Sequence, residues 1–206
     1  MKRVVIALLT AAVVGAIPFT GCVQKEALPE PEIPAHYTTY TDETGLFSIS
    51  YPPDWETALF LIEDLDKATE ELLTSIEKDL PLERTRMLFL AGLPTETGYE
   101  PNVNVVVESL PGISWTHDQV VEAKIQGIKN VIEAYYEFSR VKTTIGGREA
   151  TILDWDGTVP LGLRSLQAII LVGKVAWVVT CVPPAGEFSK WESDFHAIVR
   201  SLRILK

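Results

Sequence analysis

Three kinds of side chain in this sequence carry reactive chemistry: carboxylates where they cluster, three histidines and two cysteines. Asp154-Trp155-Asp156-Gly157 sets two carboxylates two residues apart, so on an extended segment they share a face. That spacing suits paired acid–base work and matches the opening of a calcium-binding loop. Such a loop needs a bidentate Glu at its twelfth position, where this chain has Ser165. The better reading is a strand end with turn acids. Glu63, Asp64 and Asp66 form a second acidic cluster, but they open an apolar-periodic segment, where a helix dipole explains the negative charge better than a cation site does. His36, His117 and His196 fall in a linker, at a helix start and on a helix face, and no two have metal-ligand spacing on one element. Ser189, Asp194 and His196 have the composition of a triad, yet Asp194 and His196 are two apart on one helix and cannot face each other. No GxSxG, HExxH, Walker A or GxGxxG pattern is present. The sequence therefore predicts no catalytic residue, no metal ligand and no cofactor, and it leaves the ligand-binding residues unidentified.

Cys22 is the one residue to which a modification can be assigned. Lys2 and Arg3 precede an apolar run over 4–17, followed by Phe19-Thr20-Gly21-Cys22. The run is too short to span a bilayer and reads as a signal peptide. Gly21-Cys22 at its end resembles a bacterial lipobox, in which the cysteine takes a diacylglycerol and becomes the first mature residue; Phe19 stands where Leu is usual. The expectation is a signal peptide over 1–21 and a lipidated Cys22, anchored in the cell membrane and facing the periplasm or cell exterior. Residues 22–36 carry Pro29, Pro31 and Pro34 among Glu26, Glu30 and Glu32, an extended and solvated tether. At roughly 3.1 Å per residue it reaches about 40 Å. Cys181 is then the remaining thiol, in an apolar run where burial makes it inert.

Charge narrows the partners. The chain has 18 Lys+Arg against 28 Asp+Glu, a net charge of −10, and loss of Lys2 and Arg3 with the signal peptide takes it to −12. An acidic surface repels nucleic acid and anionic head groups, so membrane attachment is expected through the lipid and nucleic acid is not expected as a partner.

The elements that must position these groups follow from periodicity. Phe47, Ile49 and Tyr51 alternate with Ser48 and Ser50, a strand with one buried face, ended by Pro52 and Pro53. It pairs with a strand over 37–42. Leu65, Ala68, Leu72, Ile76 and Leu80 predict a helix over 63–80. Strands are expected over 85–90 and 102–108. Thr116-His117-Asp118-Gln119 is a capping box opening a helix over 117–137, with Val121, Ile125, Ile128, Ile132 and Tyr135 as its stripe and His117 exposed. Gly146-Gly147 joins strands over 141–145 and 148–155 in a primed turn. Gly173-Lys174 joins 166–172 to 175–182, whose continuous apolarity predicts central strands covered on both faces. A last helix over 187–201 carries Phe188, Trp191, Phe195, Ile198 and Leu202, with Glu192–His196 and Lys190–Asp194 as neighbours on its exposed side. A short edge strand over 202–205 follows. Three helices and about eight strands make one α+β domain over 37–206: an antiparallel β-sheet with helices on both faces.

At this level the chain resembles the PsbP-like family, which includes photosystem II extrinsic PsbP and the DcrB-like bacterial lipoproteins. The resemblance lies in Tyr40-x-Asp42, Gly45-Leu46-Phe47-Ser48-Ile49-Ser50-Tyr51-Pro52 with Trp55 following, and Pro101 to Glu108. It continues through Gly147-Arg148-Glu149-Ala150 and the closing Phe195-x-x-Ile198-x-x-Ser201-Leu202-Arg203-Ile204. It implies an α/β/α sandwich and a binding or assembly role. No residues match a photosystem-docking or metal-binding motif, and an acidic linker stands where a basic docking tail would be.

Two functional readings follow. The first is a membrane-anchored extracytoplasmic lipoprotein whose PsbP-like domain binds a protein partner without catalysis. The alternative is a hydrolase or metal-dependent enzyme with an unmarked site. Absence of motifs favours the first.

Overall fold

The computed structural model describes residues 32–62, 85–96, 98–112, 114–132, 134–157 and 163–206. Residues 1–21, Cys22, most of the tether and the helix expected over 63–80 lie outside the described residues.

Alternation sets the first strands. β1 (Thr38–Thr41) pairs antiparallel with β2 (Phe47–Tyr51), Thr41 opposite Ser48. Phe47, Ile49 and Tyr51 are buried, as their period of two requires. Ser50 is buried as well, its backbone N–H donating to Ser201 Oγ at 2.8 Å. β10 (Arg203–Ile204) pairs along the other side of β2, giving a small sheet ordered β1-β2-β10. The sequence predicts one sheet and the chain builds two. Occupied on both sides, β2 has no edge left for a larger sheet, and it packs on that sheet through Phe47 against Trp177, ring centroids 5.7 Å apart, and Tyr51 against Phe89.

The larger sheet comprises β3 (Glu56–Thr57), β4 (Thr85–Thr95), β5 (Gly98–Ser109), β6 (Tyr135–Ile145), β7 (Arg148–Gly157), β8 (Leu163–Val172) and β9 (Val175–Val182). Their order is β3-β4-β5-β9-β8-β7-β6, every pair antiparallel. The apolar hairpin β8–β9 therefore lies at the centre, as its sequence predicts. Gly146 and Gly147 turn β6 into β7 at φ 58° and 77°, the left-handed pair a type I′ turn demands.

α1 (His117–Val131) opens on the expected capping box: Gln119 N–H donates to Thr116 Oγ1 and Thr116 N–H to Gln119 Oε1. It stops six residues short of the expected 137. Ile132 leaves helical dihedrals (φ −110°, ψ 118°), and Tyr135 opens β6 instead of closing the helical stripe. Tyr135, Tyr136 and Phe138 favour an extended chain; Tyr135 stacks on Trp155 with centroids 5.9 Å apart. α2 (Phe188–Ser201) follows the stripe predicted for it, burying Phe188, Phe195 and Ile198, with Leu202 buried at its end. Its polar neighbours differ from expectation. Lys190 pairs with Glu187 at 3.2 Å, and Asp194 accepts a 2.6 Å hydrogen bond from the Tyr37 hydroxyl. Burial and that bond push the Tyr37 pKa well up.

The core divides along the strands. Leu153, Ile169 and Ala176 pack with Val121, Ile125 and Ile128 of α1. Ile152, Ile170 and Trp177, one residue along each strand, pack with Phe188, Phe195 and Ile198 of α2. Cys181 is fully buried, and burial raises its thiol pKa well above the usual value, which makes it inert as expected.

Candidate functional site

Register between β6, β7 and β8 brings together residues that periodicity cannot relate. Tyr136 stands opposite Asp156, and Asp156 opposite Arg164. Arg164 reaches diagonally to Asp154, donating from Nε to Oδ1 at 2.8 Å and from Nη2 to Oδ2 at 2.5 Å. This fork is the strong form of a charge-assisted hydrogen bond, and it raises the Arg164 pKa above its usual value. The guanidinium also lies 4.1 Å from the Phe138 ring centroid and 4.0 Å from that of Phe188 at the start of α2. Asp154 is buried, so it acts as the base plate of a clamp and is no turn acid. The expected strand end at 155 runs on to Gly157.

Around this clamp the surface is aromatic and acidic. Tyr136 is 61% exposed and Phe138 47%, their rings edge to face with centroids 4.7 Å apart. Large apolar rings held in that state on a fixed frame are the usual anchors of protein interfaces. Asp156 keeps one buried carboxylate oxygen without a hydrogen-bond partner. Glu192 and His196 of α2 face the same cluster and are half-buried, not on an exposed side. Burial lowers the His196 pKa, with the Arg200 charge adding to the effect.

β6 is an outer strand of the larger sheet, yet its edge is guarded. A bulge falls between Glu137 and Ser139. Arg140 bonds Glu137 through Nε and Nη2 at 3.0 and 2.9 Å and also pairs with Glu122, while Lys142 pairs with Asp118 at 2.5 Å. Charges and a bulge discourage strand addition, so the side-chain patch beside the edge is the candidate, not the edge.

The other sequence candidates do not join it. His117, expected exposed, is buried: its Nε2 lies 2.9 Å from Thr151 Oγ1 and its Nδ1 has no partner. The reason is helical spacing, since His117 is one turn before Val121 and shares its stripe. Thr151 and Asp154 are three apart on β7 and project oppositely, so His117 and Asp154 never meet. Burial lowers the His117 pKa against the raising effect of Glu149 and Asp118; Lys142 adds to the lowering. Its stabilising contribution is thus fully present above the unfolded value near 6.5 and is lost as pH falls through 6.5 towards the folded value. Protection of the α1 amides, with the intrinsic pH dependence of exchange divided out, is expected to fall between pH 7 and 5 more in the native chain than in His117→Gln. Equal pH dependence in the two would show that His117 does not carry it.

Lys124 and Glu108 form a buried ion pair that the sequence does not announce. Burial pulls the Lys124 pKa down to about 8. Among the described residues no group of three or more His, Cys, Asp or Glu is arranged to hold a metal, and no helix is long and apolar enough to cross a membrane.

No protein-family model matches this chain, and no curated protein matches it. Among solved structures it is similar to cyanobacterial PsbP from Synechocystis sp. PCC 6803, at 11% identity and a TM-score of 0.55, over 89% of this chain and 98% of that one. A Pseudomonas aeruginosa protein of unknown function, described as a putative regulator, is similar at 12% identity and TM-score 0.46 over 81% and 96% of the two chains. A Bacteroides thetaiotaomicron VPI-5482 protein is similar at 15% identity and TM-score 0.45 over 83% and 49%.

Proposed function

On a PsbP-like fold, which sets architecture and leaves activity open, we propose that this chain is a membrane-anchored extracytoplasmic lipoprotein that binds a protein partner without catalysis. The observation that carries the binding reading is the Tyr136–Phe138 pair, exposed beside the Arg164–Asp154 clamp. The titratable groups support the same reading. Asp154 is bound by Arg164, and the His117 imidazole is buried against Thr151. The anchor rests on the sequence at Cys22, and the acidic Pro-rich tether suits a module that must stay near a membrane and reach outward. The domain is best read as an α/β/α sandwich, because α1 and α2 pack on alternate residues of the same central strands.

The test has two arms. Cys22→Ser is expected to move the protein from the membrane to the soluble fraction; unchanged fractionation would sink the anchor. A photo-cross-linking residue at Phe138 is expected to capture a protein in native membranes. Hydrolytic turnover abolished by Asp154→Asn or His117→Ala, with no partner captured, would replace the binding reading by the enzymatic one.

A further inference from the structure

We infer that the occupant of the β6–α2 patch is a cationic segment, a lysine- or arginine-bearing stretch of a protein partner laid on the Tyr136 and Phe138 rings. The inference rests on the binding reading above and adds the chemistry of the partner.

Charge bookkeeping around Arg164 carries it. Asp154, Asp156 and Glu192 all act on that one guanidinium. Asp154 takes both the Nε and the Nη2 donors, so these two groups neutralise each other. Asp156 and Glu192 are left over, and among the described residues no ion pair includes either of them. Arg200, one turn beyond His196, is the other nearby cation, and it bonds Thr143 at 3.4 Å. The Asp156 carboxylate stands on the strand position directly across from Tyr136. An incoming ammonium or guanidinium therefore finds a carboxylate and an aromatic ring side by side, both of which attract it.

The same geometry disfavours an anionic occupant. Arg164 is the cation set among these rings, and its fork is already closed on Asp154 while both rings lie against the guanidinium. The chain as a whole carries −10, which steers cations towards it and anions, acidic lipid head groups included, away.

The experiment titrates the isotope-labelled full chain, in zwitterionic detergent micelles at low salt, with hexalysine and separately with hexaglutamate. Hexalysine is expected to shift the amides of Tyr136, Phe138, Asp156 and Glu192, and hexaglutamate to leave them unmoved. Asp156→Asn with Glu192→Gln is expected to weaken hexalysine binding roughly tenfold, as loss of two partly exposed ion pairs implies. Tyr136→Ser with Phe138→Ser, which keeps every charge, is expected to weaken it too. Hexaglutamate shifting these amides, hexalysine shifting others only, or unchanged affinity in either double variant would overturn the inference. The cross-link at Phe138 separates the two levels. A captured partner indifferent to the charge variant leaves the binding reading standing and removes the cationic occupant. Hexalysine seated on the patch with nothing captured in membranes does the reverse.

Discussion

Trp177→Ala is expected to destabilise the folded domain by about 3–5 kcal/mol, the range for emptying a large aromatic site in a close-packed core. Trp177 is 7% exposed on β9, the middle strand of the larger sheet, between Val107 and Ile170 of its neighbours. Its ring meets Phe47 edge to face, so it also joins the larger sheet to β2 of the smaller one. Both sheets lose contact when the indole goes, and neither can collapse into the space without breaking strand register. Urea denaturation followed by near-UV circular dichroism reads the loss, and a change under about 1 kcal/mol would place the ring outside the core.

Lys124→Met alone is expected to cost a comparable amount, about 3–5 kcal/mol, because it strands the Glu108 carboxylate in the interior. The two side chains are only 7% and 8% exposed. Burial already strains the ammonium, as its lowered pKa shows, so the pair as a whole adds little net stability. Combining Lys124→Met with Glu108→Leu should therefore recover most of what the single change loses. A double-mutant cycle by chemical denaturation decides the matter: additive losses would mean that the two charges are not coupled.

What the sequence revealed and what it hid divide along a physical line. The strand Phe47–Tyr51, the central hairpin β8–β9 and the buried stripe of α2 were legible, because each is a pattern within one element with a period of two or near 3.6. The end of α1 was misread because Tyr135 falls on the helical period as well as on the strand, and β pairing with Gly157 decides between them. His117 sat on the buried stripe in plain view; counting back one turn from Val121 finds it. The candidate patch had no such signal. Phe138, Asp154, Arg164 and Phe188 come from four elements, and only the register of three strands and the seating of α2 bring them to one place. The fold was thus largely readable, while the site had to wait for tertiary pairing.

The seam of the smaller sheet sets an order of assembly. Ser50 and Ser201, 151 positions apart, exchange hydrogen bonds where α2 runs into β10, and Arg203 pairs with Ser48 just beyond. Bringing such distant segments together costs chain entropy that no local contact offsets. The hairpins β6–β7 and β8–β9 close over two-residue turns and face no such delay. β2 consequently gains its second neighbour only when segments 151 positions apart have met. Until then that flank of β2 is a row of unpaired backbone groups, the kind of edge to which a strand of another chain can add.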